Sequence, residues 1–274
     1  MSRTALNLTM VAAIAAAGMA VVPAANAADM IPPPPVIHVP ETPKHYGGGW
    51  YLRGDISAGI SKIGDVNYAG GVLDKARMTE SIAVGVGAGR KFGDYFRGDL
   101  TVNQRFGAQF HGSTSGAIAC DGVSPGACHS MSDQKLNTTE FMANAYIDLG
   151  KFKGVTPYVG GGLGVARTSF NGYNLMRNCF AVTATNTHCP GYTGVAVNNA
   201  TSTQTFAGAK DWNFAWNLQA GVNVDLSHNT SLDIGYKYTR INDVKMTNDP
   251  SPTVFHNTKS LGFHDARIGV RYHF

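Results

Sequence analysis

Four cysteines are the residues of this sequence whose type and spacing point most directly to chemistry. Four cysteines allow three disulfide pairings, and proximity along the chain favours two short rings, each contributing about 2.5–3 kcal/mol through loop entropy. A zinc site completed by His129 and His188 is the alternative, but separations of seven and nine intervening residues are unusual for zinc ligands. The two favoured rings join Cys120 to Cys128 and Cys179 to Cys189.

Groups that could act as a nucleophile, a base or a phosphate ligand are sparse. His264 and Ser260 share the apolar face of the last segment, where a lipid-modifying enzyme would carry its nucleophile and base, but no acid on that face orients the histidine. The glycine-rich runs 85–90 and 160–164 do not lead into a helix, so they are not phosphate-binding loops. We therefore predict no catalytic residue, no metal ligand and no cofactor. Haem or metal binding remains an alternative for the loop histidines, namely His111, His129, His188 and His256.

The composition is typical of a β-rich exported chain and not of a soluble helical enzyme. Only 15% of the 274 residues are charged, whereas 33 are glycine and 10% are aromatic. The net charge of +4 is small and the cations are scattered, which argues against a nucleic-acid partner. After the leader, no apolar run is long enough for a transmembrane helix.

Two N-terminal segments precede the part of the chain expected to fold. Residues 1–27 are predicted to be a signal peptide, with Arg3 before an apolar stretch and a small-residue cleavage site that ends at Ala27. Residues 28–49 contain four consecutive prolines and end in three glycines, which predicts an extended periplasmic tether. Export also places the mature chain in an oxidising compartment, where disulfides persist.

From residue 50 onward the hydrophobic period is two. In Trp50–Ile60 the even positions are mostly apolar, whereas the odd positions include Arg53 and Asp55. Eight such segments of about 9–13 residues follow one another, and both the length and the even number are typical of bacterial outer-membrane barrels. Residues 50–274 are thus predicted to form an all-β, eight-stranded antiparallel up-and-down transmembrane β-barrel. Its connections alternate between short turns and long external loops, the latter at about 61–79, 107–138, 168–211 and 242–258.

The polar face of the strands predicts what fills the barrel. Eight strands enclose only enough space for their own side chains, and charges in that low-dielectric space must pair. We expect a salt-bridge plug, with a narrow polar pathway as the alternative. The six basic and seven acidic side chains expected inside are Arg53, Asp55, Arg97, Asp99, Arg105, Glu140, Asp148, Asp225, Asp233, Lys237, Asp265, Arg267 and Arg271.

The strand sequences resemble one known family. Gly49–Ile56, Tyr95–Leu100, Met142–Gly150, Thr156–Gly160 and Arg267–Phe274 are similar to strands of small opacity-type, porin-like outer-membrane β-barrel surface antigens of alphaproteobacteria. The resemblance implies that the last strand carries the signal read by the barrel-assembly machinery, and an aromatic end on an unpaired strand suits docking by β-augmentation. The residues of that implied signal are Ala266, Ile268, Val270, Tyr272 and Phe274.

Together these features predict an integral outer-membrane protein of a Gram-negative bacterium without enzymatic activity. Its expected role is structural: it supports envelope integrity and presents disulfide-stapled loops as antigenic or interaction surfaces. The expected partners are outer-membrane lipids and lipopolysaccharide, the barrel-assembly machinery during biogenesis, and peptidoglycan or host surface ligands. The alternatives are a small porin-like pore, a haem-binding surface receptor, an adhesin and, last, a lipid-modifying enzyme.

Overall fold

The computed structural model describes residues 49–64, 66–68, 71–72, 75–113, 127–180, 199–248 and 257–274. Within these ranges the strands are β1 (Trp50–Ile63), β2 (Val66–Tyr68), β3 (Gly71–Val72), β4 (Lys75–Met78), β5 (Ser81–Phe92), β6 (Phe96–Ser113), β7 (Ala127–Asp148), β8 (Val155–Phe170), β9 (Tyr173–Phe180), β10 (Asn199–Phe206), β11 (Lys210–Asp225), β12 (Thr230–Lys245) and β13 (Asn257–His273). No helix in the same ranges has the length and apolarity to span a membrane.

Eight of the strands in the described ranges close a barrel. Each pairs antiparallel with the next in the order β1, β5, β6, β7, β8, β11, β12 and β13, and β13 returns to pair with β1. The predicted eight-stranded antiparallel barrel is therefore confirmed. Closure satisfies the backbone N–H and C=O groups that an open sheet edge would leave unpaired in lipid.

The two faces of the wall follow the period-two pattern of the sequence. Along β1, Tyr51, Arg53 and Asp55 are buried inside, whereas Trp50 and Leu52 are about half exposed on the outside. Successive strand residues point to opposite faces, so one alternation separates the two sets of side chains. The wall presents apolar groups outward and encloses polar ones, which is the arrangement required in lipid.

The short connections share one end of the barrel with Trp50 and Phe274. There the backbone N–H of Phe274 donates to the carbonyl of Trp50 at 3.1 Å. The turn between β5 and β6 contains Gly93 with a φ of +67°, a conformation that favours glycine. Short turns are periplasmic in barrels of this kind, so the opposite end of the wall faces the exterior.

The connections predicted as long loops contain strands, which differs from the expected bounds. β6 continues to Ser113, β7 already begins at Ala127, and β12 reaches Lys245. β9 and β10 form a hairpin, and β9 pairs with the outer end of β7. The short strands β2, β3 and β4 occupy part of the first connection. Strand structure is thus present in all four segments expected as loops, at about 61–79, 107–138, 168–211 and 242–258.

Two irregularities explain why the sequence pattern hides these extensions. On β6 the register shifts between Arg105 and Ala108, and Gly107 between them has a φ of +81°. On β12, Asp243 has a φ of +51° and Val244 beyond it is buried. The bulge on β6 inserts one residue, so the inward and outward positions exchange beyond it. On β12 the register with β13 is the same on both sides of Asp243, so the change of burial pattern there coincides with the left-handed residue and not with an insertion. The alternation therefore changes phase within one strand, and the sequence beyond the bulge no longer matches the pattern before it.

An apolar core fills the inside of the outer end of the barrel, and four of its members, Ala108, Phe110, Val244 and Met246, become inward only beyond the changes of phase. Phe110, Ile241 and Phe263 are fully buried there. Ile63, Ala76, Met78 and Phe206 pack against this core from its edge. We call this set of buried residues the outer core, and its members are Ala108, Phe110, Leu136, Met142, Ala166, Phe170, Ala215, Ile241, Val244, Met246, Leu261 and Phe263.

Several predictions fall outside the residues that the structure describes. They are the signal peptide at 1–27, the tether at 28–49 except for its last residue, Cys120, Cys189, His188 and His256. For Cys128, His129 and Cys179 the structure describes the strand but not the side chain.

Candidate functional site in the barrel interior

Charged side chains fill the periplasmic and central part of the barrel. In the described ranges, six basic and six acidic side chains are buried, so this part of the interior carries no net formal charge. We call this set the charged layer. Its members are Arg53, Asp55, Arg97, Asp99, Arg105, Glu140, Asp148, Asp233, Lys237, Asp265, Arg267 and Arg271.

Asp225 departs from the sequence expectation because it is exposed. Because successive strand residues alternate between the two faces, Asp225 is expected on the inner face. It is, however, the last residue of β11 and lies at the periplasmic rim, where solvent reaches the inner face of the wall. Its carboxylate pairs with Lys151 in the neighbouring turn. Without Asp225, the predicted set of six basic and seven acidic groups becomes balanced.

Arg53 occupies the centre of the charged layer. Its guanidinium donates two parallel hydrogen bonds to Asp55, both at 2.9 Å, and its Nη1 donates to Asp99 at 2.7 Å. The same Nη1 lies 2.8 Å from the hydroxyl of Tyr146, and Tyr51 donates to Asp99 at 3.0 Å. The planar fork of arginine suits such two-point binding of a carboxylate. Arg53 thereby connects three strands of the wall.

Asp233 accepts hydrogen bonds from several side chains on the periplasmic side of the charged layer. Arg267 donates to its Oδ1 at 2.9 Å, Arg271 donates to its Oδ2, and the Tyr158 hydroxyl donates to it at 2.8 Å. Arg267 also donates to the side-chain oxygen of Gln219 at 2.6 Å. Two guanidinium groups therefore share one carboxylate, and neutral acceptors, Gln219 for Arg267 and Asn223 for Arg271, accept further hydrogen bonds from them.

A second cluster lies closer to the outer end. Arg105 donates two hydrogen bonds to Asp265 at 2.9 and 2.6 Å, and its Nη2 is 3.6 Å from Glu140. Lys237 donates to the other oxygen of Glu140 at 3.2 Å. The guanidinium carbon of Arg105 lies 4.1 Å from the ring centroid of Phe263, a member of the outer core. Arg105 is thus the point where the charged layer meets the apolar one.

Arg97 is held mainly by aromatic rings. Its guanidinium carbon lies 4.7 Å from the ring centroid of Tyr146 and 4.4 Å from that of Tyr158, and its Nη2 is 3.3 Å from Asp148. A cation over an aromatic face is attracted by the ring quadrupole, most strongly where water is excluded. The rings therefore share with Asp148 the task of compensating this buried charge.

Neutral polar residues connect the charged ones, and a selection by charge alone omitted them. Tyr51, Tyr146 and Tyr158 are buried at inward positions, as are Asn144 and Gln219. Asn144 donates to Asp99 at 2.8 Å and accepts a hydrogen bond from Gln219 at 3.1 Å. Strand alternation was a sufficient signal for Tyr51, Asn144 and Tyr146, which are in phase with inward charges of their own strands, and for Tyr158 and Gln219, which are in phase with the buried Thr168 and Asn217.

The predicted alternatives at His264 and His111 have local partners in the structure. The hydroxyl of Tyr236 lies 2.6 Å from Nδ1 of His264, and the ring of Tyr238 stacks at 4.8 Å between centroids. Ser260 is half-buried two rows further out on the same strand. His111 pairs with Asp133 on the neighbouring strand. The structure thus gives His264 a phenolic partner and not a carboxylate.

The register places the cysteines differently from their proximity in sequence. Cys128 on β7 and Cys179 on β9 are direct Cα partners across the two antiparallel strands. The proximity argument instead paired Cys128 with Cys120 and Cys179 with Cys189, and both of those partners lie outside the described ranges.

The residues of the implied assembly signal form the outward row of β13. Ile268, Val270, Tyr272 and Phe274 are each about half exposed, and Ala266 is exposed as well. They lie beside the seam at which β13 pairs with β1. Tyr272 and Phe274 form an edge-to-face contact at 5.2 Å near the periplasmic rim, where aromatic girdle residues are expected.

One family model and several known proteins match most of this chain. A family model described as the outer membrane protein beta-barrel domain matches residues 12–274. An uncharacterized protein of Brucella abortus (strain 2308) is 33% identical over 240 residues, covering 81% of this chain and 77% of that protein. A candidate adhesin of Rickettsia bellii (strain RML369-C) is 24% identical over 228 residues, covering 81% and 82% respectively. Among solved structures, Neisserial surface protein A matches with a TM-score of 0.43 and 18% identity, covering 82% of this chain and 97% of that one.

Proposed function

This chain belongs to the family of outer membrane protein β-barrel domains and is located in the outer membrane of a Gram-negative bacterium, and from that premise we propose that it is a closed, non-conducting envelope protein. In this proposal the barrel anchors the external segments in the membrane and supports envelope integrity, and solutes do not pass through it. The filled interior is the observation that carries the proposal.

Two layers support a closed lumen. The charged layer spans the barrel from wall to wall, for example from Arg53 on β1 to Asp99 on β6 and from Arg105 on β6 to Asp265 on β13. The outer core follows it along the axis with buried apolar side chains, and a hydrated ion loses its favourable interactions with water on entering such a region. An ion would have to displace both layers in series.

A planar-bilayer recording of the folded protein tests this proposal. We expect no steady conductance steps, whereas a sixteen-stranded porin inserted by the same procedure provides the positive control, because its barrel leaves an aqueous channel. Steady, reproducible steps from the purified protein would establish the small-pore alternative and overturn a closed lumen.

No enzymatic activity is part of the proposal. A nucleophile and base pair needs a third group to orient the base, commonly a carboxylate. The hydroxyl partner of His264 is Tyr236, and the carboxylate of the adjacent Asp265 points into the barrel toward Arg105. Unchanged lipid A mass spectra from cells with and without the protein are the expected result.

Adhesion is the second candidate function, and it rests on one relative. The Rickettsia bellii protein that matches over most of its length is designated a candidate adhesin. In this chain the β9–β10 hairpin extends the wall on the exterior side through its pairing with β7. Binding of cells that display the protein to host cells, compared with a variant whose residues 173–206 are replaced by a short glycine–serine linker, tests this role.

Two further partners are proposed from position in the fold. The outward row of β13 beside the β1 seam supports the proposal that the last strand docks to the barrel-assembly machinery, because an unpaired strand edge can add to another sheet. Residues 28–49 directly precede β1, which begins at the periplasmic end. This connection supports a periplasmic tether close to peptidoglycan.

A further inference from the structure

Two exposed cations lie in one row at the outer end of the barrel wall. Lys62 on β1 and Arg240 on β12 both have Gly262 of the intervening strand β13 as their register partner. Neighbouring strands are about 4.8 Å apart, so the two Cα atoms are separated by about 10 Å with a glycine between them. Across the ranges that the structure covers, neither cation takes part in a hydrogen bond or an ion pair.

Two other outward arginines of the wall lie over aromatic rings. Arg167 lies over the ring of Trp212 at 6.0 Å, and at the periplasmic end Arg90 lies over the ring of Trp50 at 5.6 Å. Two exposed acids are near in sequence or along the strands, but in the described part of the chain neither pairs with Lys62 or Arg240. These acids are Glu80 and Asp243. Among the described residues, the row therefore offers two positive charges that have no paired counter-charge.

An aromatic belt begins in this row, where Trp216 is the register partner of Arg240, and continues toward the membrane. Trp216 and Tyr238 meet edge to face at 5.5 Å, Tyr238 stacks on His264 at 4.8 Å, and Tyr236 is hydrogen-bonded to His264. Tyrosine and tryptophan concentrate at membrane–water interfaces because one end of each side chain is apolar and the other is polar. The belt marks the level at which the hydrocarbon ends.

The length of β13 places the row of Lys62 and Arg240 at the same depth as the aromatic belt does. Gly262 and the aromatic Phe274 at the periplasmic rim are separated by about twelve residues of β13. At about 3.3 Å per residue and a tilt of 35–45°, this distance corresponds to roughly 28–32 Å along the membrane normal, close to the thickness of the hydrocarbon core. Lys62 and Arg240 therefore lie at the level of the outer-leaflet headgroups.

We propose that Lys62 and Arg240 form a binding site for the phosphates of an outer-leaflet glycolipid, the lipid A of lipopolysaccharide. The Tyr238 side chain covers Gly262 between the cations, since a Cβ placed there would lie 3.4 Å from the Tyr238 hydroxyl oxygen and 3.5 Å from its ring, and this places the hydroxyl between the two positive charges. That hydroxyl can donate a hydrogen bond to a phosphate oxygen. The site lies on the lipid face, so it does not depend on whether the lumen is closed.

Native mass spectrometry of the folded protein released from detergent micelles tests the site. The probe is bis-phosphorylated lipid A, and the same lipid without its phosphates serves as the comparison. A basic side chain near an anionic lipid surface contributes about fivefold in affinity, so Lys62→Gln with Arg240→Gln should weaken binding of the phosphorylated probe by about 25-fold. Arg90→Gln removes an exposed cation at the opposite leaflet and should leave the affinity unchanged.

Three results would overturn the site. The dephosphorylated lipid could bind the native protein as tightly as the phosphorylated one. The double variant, which removes only exposed side chains and should migrate as a folded barrel in an unheated gel, could retain the native affinity. Inorganic phosphate could displace the lipid at equal concentration, which would show that no headgroup is recognised.

Discussion

The inner half of the barrel and its outer half enclose opposite kinds of side chain, although the same strands build both. On β6, Asp99 and Arg105 are buried in the charged layer, whereas Ala108 and Phe110 are buried in the outer core. Between the two pairs lies the bulge at Gly107. On this strand, a single inserted residue thus brings apolar side chains to the inner face without moving the strand out of the wall.

The two interiors differ in what each contributes to stability. Apolar burial contributes roughly 25 cal/mol per Å² removed from water, and it needs no partner of a particular geometry. A buried ion pair loses hydration on both partners, and the loss is offset only when geometry and additional hydrogen bonds are good. In the charged layer, removing one partner of an ion pair should therefore lower the free energy of unfolding strongly, whereas removing both partners should lower it only mildly. In the outer core, the free energy of unfolding should fall with the volume of side chain removed.

The largest expected effect comes from removing one partner in the charged layer. Asp265→Ala leaves the fully buried Arg105 without its two short hydrogen bonds. We expect a loss of about 3–5 kcal/mol in the free energy of unfolding, because an uncompensated charge remains inside the barrel. Urea unfolding of the protein in lipid vesicles, followed by tryptophan fluorescence, measures it.

The matched control is the double variant Asp265→Leu with Arg105→Met, which removes both charges and keeps most of the volume. It should lose less than Asp265→Ala alone, because no buried charge is left unpaired. If the double variant were the less stable of the two, the charged layer would owe its stability to attraction between the ions.

The outer core should show the next largest effect. Ile241→Ala removes volume from a fully buried site and should cost about 2–5 kcal/mol through lost transfer energy and the cavity left behind. Ile268→Ala removes the same atoms from the lipid face, where acyl chains refill the space. The same urea assay should therefore show a smaller loss for Ile268→Ala, and equal losses would mean that the outer core is not closely packed.

Strand parity was enough to place Arg53 and Asp99 inside and Leu52 outside, because a period of two has only one phase within an uninterrupted strand. The alternation failed beyond Gly107, where a bulge changes the phase, and beyond Asp243, a left-handed residue after which Val244 is buried, and no local residue pattern announces either change. The sequence alone also could not predict which charged residues pair with each other. Arg105 and Asp265 are 160 residues apart in sequence and meet only because the barrel closes with a particular register.

The bulge at Gly107 provides a third test of the comparison between the charged layer and the outer core. Gly107 has a φ of +81° and open space where a Cβ would lie, so Gly107→Ala introduces backbone strain without a clash. We expect a cost of about 1–2 kcal/mol. Gly54→Ala is the matched control, since its Cβ also meets nothing within 4 Å but its φ is ordinary. A stability of Gly107→Ala equal to that of Gly54→Ala would contradict a left-handed residue at the phase change.

Changes at the cysteines should have the smallest effect on barrel stability. The pairing of the cysteines in disulfides nevertheless tests whether the outer region is built from extended strands. Directly opposed residues of antiparallel strands have Cβ atoms about 4.5–5.5 Å apart on one face, close to the separation that a disulfide bridges. The register of β7 and β9 therefore predicts a Cys128–Cys179 bond. Its formation transfers two electrons and two protons from the two thiols to a disulfide-carrying oxidant of the periplasm, whose S–S bond breaks to give a dithiol. Peptide mapping without reduction should recover these two cysteines in one linked fragment. Recovery of Cys120 linked to Cys128 would instead show that the strand extension above the outer core does not hold this register.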